Sequence, residues 1–412
     1  MSIIELLDYR ACEQALKEPE LKQALYDEGA IVMERVLVTL HGDEHRQRRL
    51  AEMTVFRRDF FRRYEYEVIP RIFAEVMEAV EAETAKGQDV DLVSLGYRIM
   101  VYLAMNFAGI DLRTQNAEEF EELIRMLRTF GLAATLGQSK TTAQEQAAAR
   151  KDIQATLNEF DRRFFAPSAQ HRQALIDQHE AGKLKEDALP MDVLTVLLRN
   201  ALTLDMARDM MLRETAFYFL AGAHTSVHSL SHAMHHLLDE CDAQPQARAE
   251  FEADPSRVQR YVHESFRLHP SSPVAKRRAL ATVEFLDGQQ AQTDDIVIIN
   301  LRQANRDPEI FGDDGERFIG QRAVPRGISE TGITFGIGMH ACLGKNLAAG
   351  VLPPPGKTIE PEKRQLGTLP WIAHGLLKAG ITRHPDRRGR LDATIERETW
   401  ANYPVQFTSF SR

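Results

Sequence analysis

Phe335-Gly-Ile-Gly-Met-His-Ala-Cys342-Leu-Gly-Lys-Asn-Leu-Ala348 is the stretch on which the reading of this chain turns. Gly336 and Gly338 let backbone pass close to something flat or bulky, because no Cβ stands in the way. Cys342 precedes a helical stretch predicted over 343–352, whose N-terminal N–H groups and dipole favour a thiolate over a thiol. That arrangement makes a sulfur ligand for a metal. The residues Gly336-Ile-Gly338-Met-His-Ala341 also satisfy the GxGxxA dinucleotide fingerprint, with Glu360 and Glu362 downstream. The fingerprint needs a βαβ unit, however, and Pro353-Pro-Pro-Gly356 ends the helix with no second parallel strand to follow.

Outward from the loop, composition sets the class. The chain has 412 residues, 43% hydrophobic and 27% charged, which are globular values. Fifty-one Lys and Arg against 60 Asp and Glu give a net charge of −9, against a nucleic-acid-binding coat. The N-terminal MSIIELLDYRACEQALKEPE carries acids inside its apolar run and has no signal-peptide pattern. No uninterrupted apolar run approaches the length of a membrane span, so a cytoplasmic location is expected. Cys12, Cys241 and Cys342 lie far apart without a CxxC, which excludes a disulfide framework, an iron–sulfur cluster and a four-cysteine zinc site.

Up to about residue 270 the apolar period is helical, as over Glu118–Thr129, Ala147–Phe165 and Met206–Asp242. Glycines and prolines punctuate this region without forming a long linker, so residues 1–412 are read as a single domain. From Arg277 onward short strands are predicted, with turns at Asp287-Gly288 and Thr293–Asp295. The expected fold class is mainly α with small β-sheets.

Other constellations could carry chemistry. Glu264 and Arg267 share one helix face at i and i+3. Ala221-Gly-Ala-His-Thr225 lies on the long predicted helix, where close packing is the plainer use of small residues. His224, His228 and His232 recur every four residues, followed by His235 and His236. Such spacing can bind zinc, but no HExxH is present, and polar helix packing explains it as simply. Arg46, Arg48, Arg49, Arg57, Arg58, Arg62 and Arg63 crowd one predicted helix, as a solvated face, a docking patch for an acidic partner, or anchors for an anionic cofactor group.

The pattern FGxGxHxCxGxxLA resembles the haem-binding loop of the cytochrome P450 monooxygenases, and every fixed position matches. Glu264-Ser-Phe-Arg267 resembles the family's ExxR helix, and Ala221-Gly222-Ala-His224-Thr225 its oxygen-activation motif. The resemblance implies the cytochrome P450 fold and one heme b (iron protoporphyrin IX) whose metal ligand is Cys342, bordered by Phe335, Gly336, Gly344 and Ala348. It implies a lock of Glu264 and Arg267 with Arg322, or with Arg317 as second choice. His45, Arg49, Arg277 and His340 match positions that reach the haem propionates, which need charged donors when buried.

The same resemblance assigns catalytic positions to Thr225, Gly222 and His224, and a substrate pocket to Phe217, Leu220, Ala221, Ser272 and Val274. His224 departs from the pattern, standing where the family usually places a proton-relaying carboxylate. The implied activity is insertion of one oxygen atom from O2 into a lipophilic small molecule. Electrons would come from a ferredoxin-type donor with its reductase, docking near Arg46–Arg63, because this chain has no flavin domain or cluster cysteines. A peroxide-driven oxygenase and a non-catalytic haem-binding sensor or carrier are the alternatives. Two further departures concern architecture: His45 comes early, so the first helix and outer strands are expected to be short or absent, and Pro353–Pro370 replaces a long continuous helix.

Overall fold

The helix Arg208–Ala243 runs for 36 residues and buries side chains on several faces, among them Met210, Phe219, Val227, Met234 and Leu238. In the computed structural model, which describes residues 2–114, 116–353, 360 and 363–408, it is the central rod of a mainly helical fold. Its principal neighbour is Leu92–Ala108, capped at its start by the Asp91 side chain on the Ser94 N–H and ended by Gly109 in the left-handed region. Ala117–Thr135, Pro255–Leu268 and Thr368–Lys378 pack around this pair. The helix predicted over Ala147–Phe165 is longer: Ala143–Phe160 passes through a wide turn at Asp161–Phe165 into Ala166–Glu180. The wide turn accommodates Pro167, which has no N–H to give the helix ladder.

A four-stranded sheet occupies the other end. Ile3–Leu6 runs parallel to Ile296–Asn300, which pairs antiparallel with Val274–Ala279, which in turn pairs antiparallel with Leu21–Gln23. The outer strands expected to be short or absent are present, with four and three residues. Along Val274–Ala279 burial alternates strictly, so Arg277 points inward between Ala275 and Ala279. That alternation delivers a guanidinium to the interior.

The arginine-rich segment is not one helix. Gly42–Glu52 ends in a tighter turn at Met53–Val55, and Arg58–Arg63 starts again. The break turns Val55, Phe60 and Phe61 into the core and leaves Arg57, Arg58, Arg62 and Arg63 exposed, while Arg48 is 2% exposed.

The helix after Cys342 is also shorter than predicted: Lys345–Ala349 instead of 343–352. Gly350, at φ +70, ends it where a Cβ would collide with the carbonyls of Gln365 and Leu366. Gln259 Nε2 donates to the Ala349, Gln365 and Leu366 carbonyls, each at 3.0 Å, and Val351 bridges to Gln365. The chain thus leaves at Gly350, returns at Gly367 beside it, and resumes helix at Thr368–Lys378. Much of the Pro353–Pro370 segment, 354–359 and 361–362, lies outside the described residues; Pro370 sits in the first turn of the resumed helix, where proline is tolerated.

Candidate active site

Gly338 takes φ +70, and a Cβ there would meet the Leu16 carbonyl oxygen at 2.7 Å, which pins the loop on the first helix. The Cys342 N–H donates to the Phe335 carbonyl at 2.8 Å and closes the loop. Phe335 packs edge-on against Phe266 at 5.0 Å, and Thr334 Oγ1 donates to the Phe266 carbonyl at 2.7 Å, so the loop hangs from the Glu264–Arg267 helix. Arg49 Nη2 donates to the Ala341 carbonyl at 2.6 Å, one residue before the cysteine.

Cys342 keeps accessible surface although protein surrounds it, the mark of a recess beside the residue. Burial pushes the thiol up; the Gly344 amide, Arg49 and Lys345 pull the other way. Gly336, Gly344 and Ala348 are half-buried around it.

Glu264 and Arg267 form a bidentate pair, Nε to Oε2 and Nη2 to Oε1, both at 2.7 Å, with Arg267 0% exposed. Arg322 Nε donates to the same Oε1 at 3.0 Å and its Nη1 to Asp314 at 2.7 Å. Arg317 contributes its carbonyl, which accepts from Arg267 and Arg322. Arg267 Nη1 also donates to the Asn305 and Gly315 carbonyls. One guanidinium therefore ties the helix to the segment 305–322 that supports the loop.

Two arginines, Arg49 and Arg277, and two histidines, His45 and His340, gather at the recess. His45 and His340 lie 4.7 Å apart, each with a buried Nε2 that has no partner among the described residues. Burial, with Arg49 and His41 nearby, pushes His45 down to about 4; burial, then Arg277 and His45, pushes His340 down to about 2. Arg277 is pushed down to about 10 by burial, and its Nη1 rests on Gln23 Oε1 at 2.7 Å. Unpaired buried donors are costly. Carboxylates entering between His45, His340, Arg277 and Arg49 would satisfy them, and the recess above Cys342 offers the sulfur, so the residues fit a haem.

On the long helix, Thr225 Oγ1 donates back to the Ala221 carbonyl at 2.8 Å, and Thr225 is half-buried. Gly222 is accessible in mid-helix, and the Ser226 hydroxyl donates to its carbonyl. His224 turns toward two other helices. Its Nδ1 lies 3.0 Å from Tyr97 Oη, and its Cε1 lies 2.9 Å from where a Gly131 Cβ would stand, so only glycine leaves room for the ring. Burial pushes Tyr97 up to about 12, so the phenol keeps its proton in this contact. Burial, then Arg397, pushes His224 down to about 3, so the ring is neutral near pH 7. Of the pocket candidates, Phe217, Ala221, Ser272 and Val274 are half-buried, whereas Leu220 is 3% exposed and belongs to the helical core.

His228 packs edge-on against Tyr97 and His224, its buried Nδ1 without a partner among the described residues, whereas the later histidines of the ladder are hydrogen-bonded. His232 Nε2 meets the Glu398 carbonyl at 2.6 Å, His235 Nδ1 meets Tyr403 Oη at 2.9 Å, and His236 and His269 share a contact between Nε2 atoms at 2.9 Å. Among the described residues no three His, Cys, Asp or Glu are grouped to hold a metal ion.

A buried network escapes sequence reasoning because its members look like surface charges on separate helices. Arg48 donates to Glu214 at 2.8 Å, Tyr218 donates to Glu52 at 2.5 Å, and Glu52 Oε1 has no partner among the described residues. Burial, then Glu214, pushes Glu52 well up; Tyr218, Arg48 and Arg49 oppose this. A raised carboxyl stabilises the fold fully below its unfolded value near 4.5 and loses that contribution as pH rises through the folded value. Glu52→Gln is therefore expected to match the wild type below about pH 4 and to exceed its stability at about pH 8, by about 1 kcal/mol or more. Denaturant titrations at both pH values check this; a difference that does not change with pH contradicts it.

Comparison with known proteins agrees with this geometry. The sequence profile of the family described as Cytochrome P450 matches residues 6–350. A Mycobacterium tuberculosis protein described as putative cytochrome P450 126 is 31% identical over 174 residues, 41% of this chain and 38% of the relative. The matched part thus spans well under half of that relative's length. Among solved structures, CalO2 superposes with a TM-score of 0.72 at 18% identity, covering 99% of this chain and 91% of its own. CYP109B1 from Bacillus subtilis gives 0.68 at 18%, covering 98% and 93%. With its loop, ion-pair helix and profile match all in one order, the chain belongs to the cytochrome P450 family.

Proposed function

We propose that this protein is a haem-thiolate monooxygenase that inserts one oxygen atom from O2 into a lipophilic small molecule. The observation that carries the reading is accessible Cys342 close in the chain to His340, which with His45 keeps a buried ring nitrogen without a partner among the described residues. Heme b would be held by Cys342, with His45, Arg49, Arg277 and His340 on its propionates and Phe335, Gly336, Gly344 and Ala348 along its edge. When bound, it supplies reduction of O2 with two electrons and two protons, favoured by electron donation from the thiolate.

The chain's own residues do the rest. The Gly344 amide, Arg49 and Lys345 favour negative charge on the sulfur against the burial that raises the thiol. The Thr225 hydroxyl, anchored on Ala221, offers its lone pairs to water in the recess beside accessible Gly222. Phe217, Ala221, Ser272 and Val274 exclude bulk water and position the substrate. Two neighbours of the fold carry lipophilic partners in their crystals: CYP109E1 from Bacillus megaterium with corticosterone, and P450BioI with a hexadec-9Z-enoic acid ligated acyl carrier protein. Electrons would arrive from a ferredoxin-type protein at exposed Arg57, Arg58 and Arg62, without buried Arg48. No described helix is long and apolar enough to cross a membrane, and we place the protein in the cytoplasm.

Thr225→Ala tests the assignment. Product formed per NAD(P)H consumed is expected to fall several-fold while reductant is still oxidised, the lost electrons appearing as peroxide. Unchanged coupling in an active preparation contradicts the role of Thr225. Neutral His224, tied to Tyr97 where a carboxylate is usual, favours a second reading as a peroxide-driven oxygenase. Turnover with hydrogen peroxide and none with the donor chain selects it.

A further inference from the structure

We propose that Arg397 and Gln138 form a receptor for a carboxylate on the substrate, so that the molecule oxidised is a lipophilic carboxylic acid. The inference rests on the monooxygenase reading and concerns the wall of the same recess.

Arg397 is 7% exposed and forms no ion pair among the described residues. Its Nε donates to Gln138 Oε1 and its Nη1 to the Ser271 carbonyl at 3.1 Å, both uncharged acceptors. Burial pushes this guanidinium down, and the group that offsets it is the Tyr26 phenol. Of the acids in this region, Glu398 pairs with Arg302 at 2.6 Å, and Glu28, whose Oε1 lies 3.8 Å from Lys276, keeps its buried Oε2 beside Gly137 without a partner among the described residues and makes no ion pair with Arg397. Gln138 is equally buried, at 7%, and with its oxygen taken by Arg397 its Nε2 has no partner among the described residues. A buried cation without a counter-charge and a buried amide donor without an acceptor thus stand side by side. Each is costly to leave so, and an anion would complete both.

The pair is built in. The Glu396 N–H donates to the Gln138 carbonyl at 3.2 Å, and Ser139 bridges to Ile395, so the end of one helix and the C-terminal segment hold both side chains in register. Tyr26 and Ser271 approach from two further segments. The helix that leads into Gln138 meets His224 at Gly131, and the Ser271 carbonyl held by Arg397 adjoins Ser272, so the receptor lies on the Thr225 side of the recess. It borders the set that fits the haem carboxylates, His45, His340, Arg49 and Arg277, because the Tyr26 phenol neighbours Arg277 as well as Arg397. The fork of a guanidinium with an adjacent N–H donor matches the two oxygens of a carboxylate.

The test uses the haem-loaded protein, titrated calorimetrically with a saturated fatty acid and with an aromatic carboxylic acid, each beside its methyl ester and its alcohol. In at least one set the acid is expected to bind about 10- to 100-fold more tightly than its neutral analogues. Arg397→Met should abolish that preference while leaving the melting temperature and the carbon-monoxide spectrum as in the wild type. Gln138→Leu should weaken acid binding and spare the esters, which keeps the test decisive if Arg397→Met fails to fold. Absence of acid preference in every set, whether all bind alike or none binds, overturns the proposal, as does a preference that is undiminished in Gln138→Leu or in a folded Arg397→Met. Calorimetry reads the acid preference and the carbon-monoxide spectrum reads the haem-thiolate centre, so each reading can fail without the other.

Discussion

Arg267→Met is expected to lower folding stability by about 3–5 kcal/mol, a large part of the total of about 5–15 kcal/mol available to a typical domain. Arg267 is 0% exposed, and its loss would leave Glu264, 3% exposed, with Arg322 as its one remaining cation. It would also strip donors from the Asn305, Gly315 and Arg317 carbonyls and remove the cation lying 4.8 Å over the Phe311 ring. Methionine fills much of the volume, so the effect is electrostatic and not a cavity. Denaturant titration of the single variant and of the Glu264→Gln/Arg267→Met double variant measures it. The double variant should recover part of the loss, because no unpaired charge then remains on the glutamate. A single-variant loss below about 1 kcal/mol would mean that the buried pair does not support the loop.

Why these residues are legible and others are not follows from how each is specified. Cys342, Gly336 and His340 lie within a few residues of one another, and a short loop that must pass close to a flat group leaves its trace in contiguous sequence. Glu264 and Arg267 are one helical turn apart, so their pairing can be read from spacing, and Arg322 comes to the same carboxylate. Arg48 cannot be read that way. It lies in a run of arginines, and only the break at Met53–Val55 and the approach of Glu214 bury it. The partners of His224 are hidden for the same reason: Tyr97 and Gly131 come from two other helices, and a glycine that makes room for an imidazole resembles any helical glycine. Gln138 and Arg397 are far apart in sequence and meet where a backbone bridge joins Ser139 to Ile395. The helix after Cys342 falls short of its sequence pattern because Gly350, and not the later prolines, ends it.

Cys342→Ala is the second change with a large expected effect, and it separates chemistry from folding. The turn at this position is closed by the backbone, through the Cys342 N–H on the Phe335 carbonyl, and the side chain is accessible. Truncating it creates little new cavity, so the variant should melt as the wild type does. What it loses is the cysteine sulfur of the recess, which neither of the others can replace: Cys12 is buried on the Leu6 carbonyl, and Cys241 lies near the far end of the long helix. The thiolate contribution to the haem spectrum should disappear entirely, and oxygen insertion with it.

The decisive measurement is therefore the absorption spectrum of the reduced, carbon-monoxide-bound protein, recorded beside that of Cys342→Ala. A strongly red-shifted Soret band is expected in the wild type and is expected to be absent from the variant, although both remain folded. A band of the histidine-ligated type in the wild type, or the same spectrum in both proteins, would contradict ligation of the haem by Cys342.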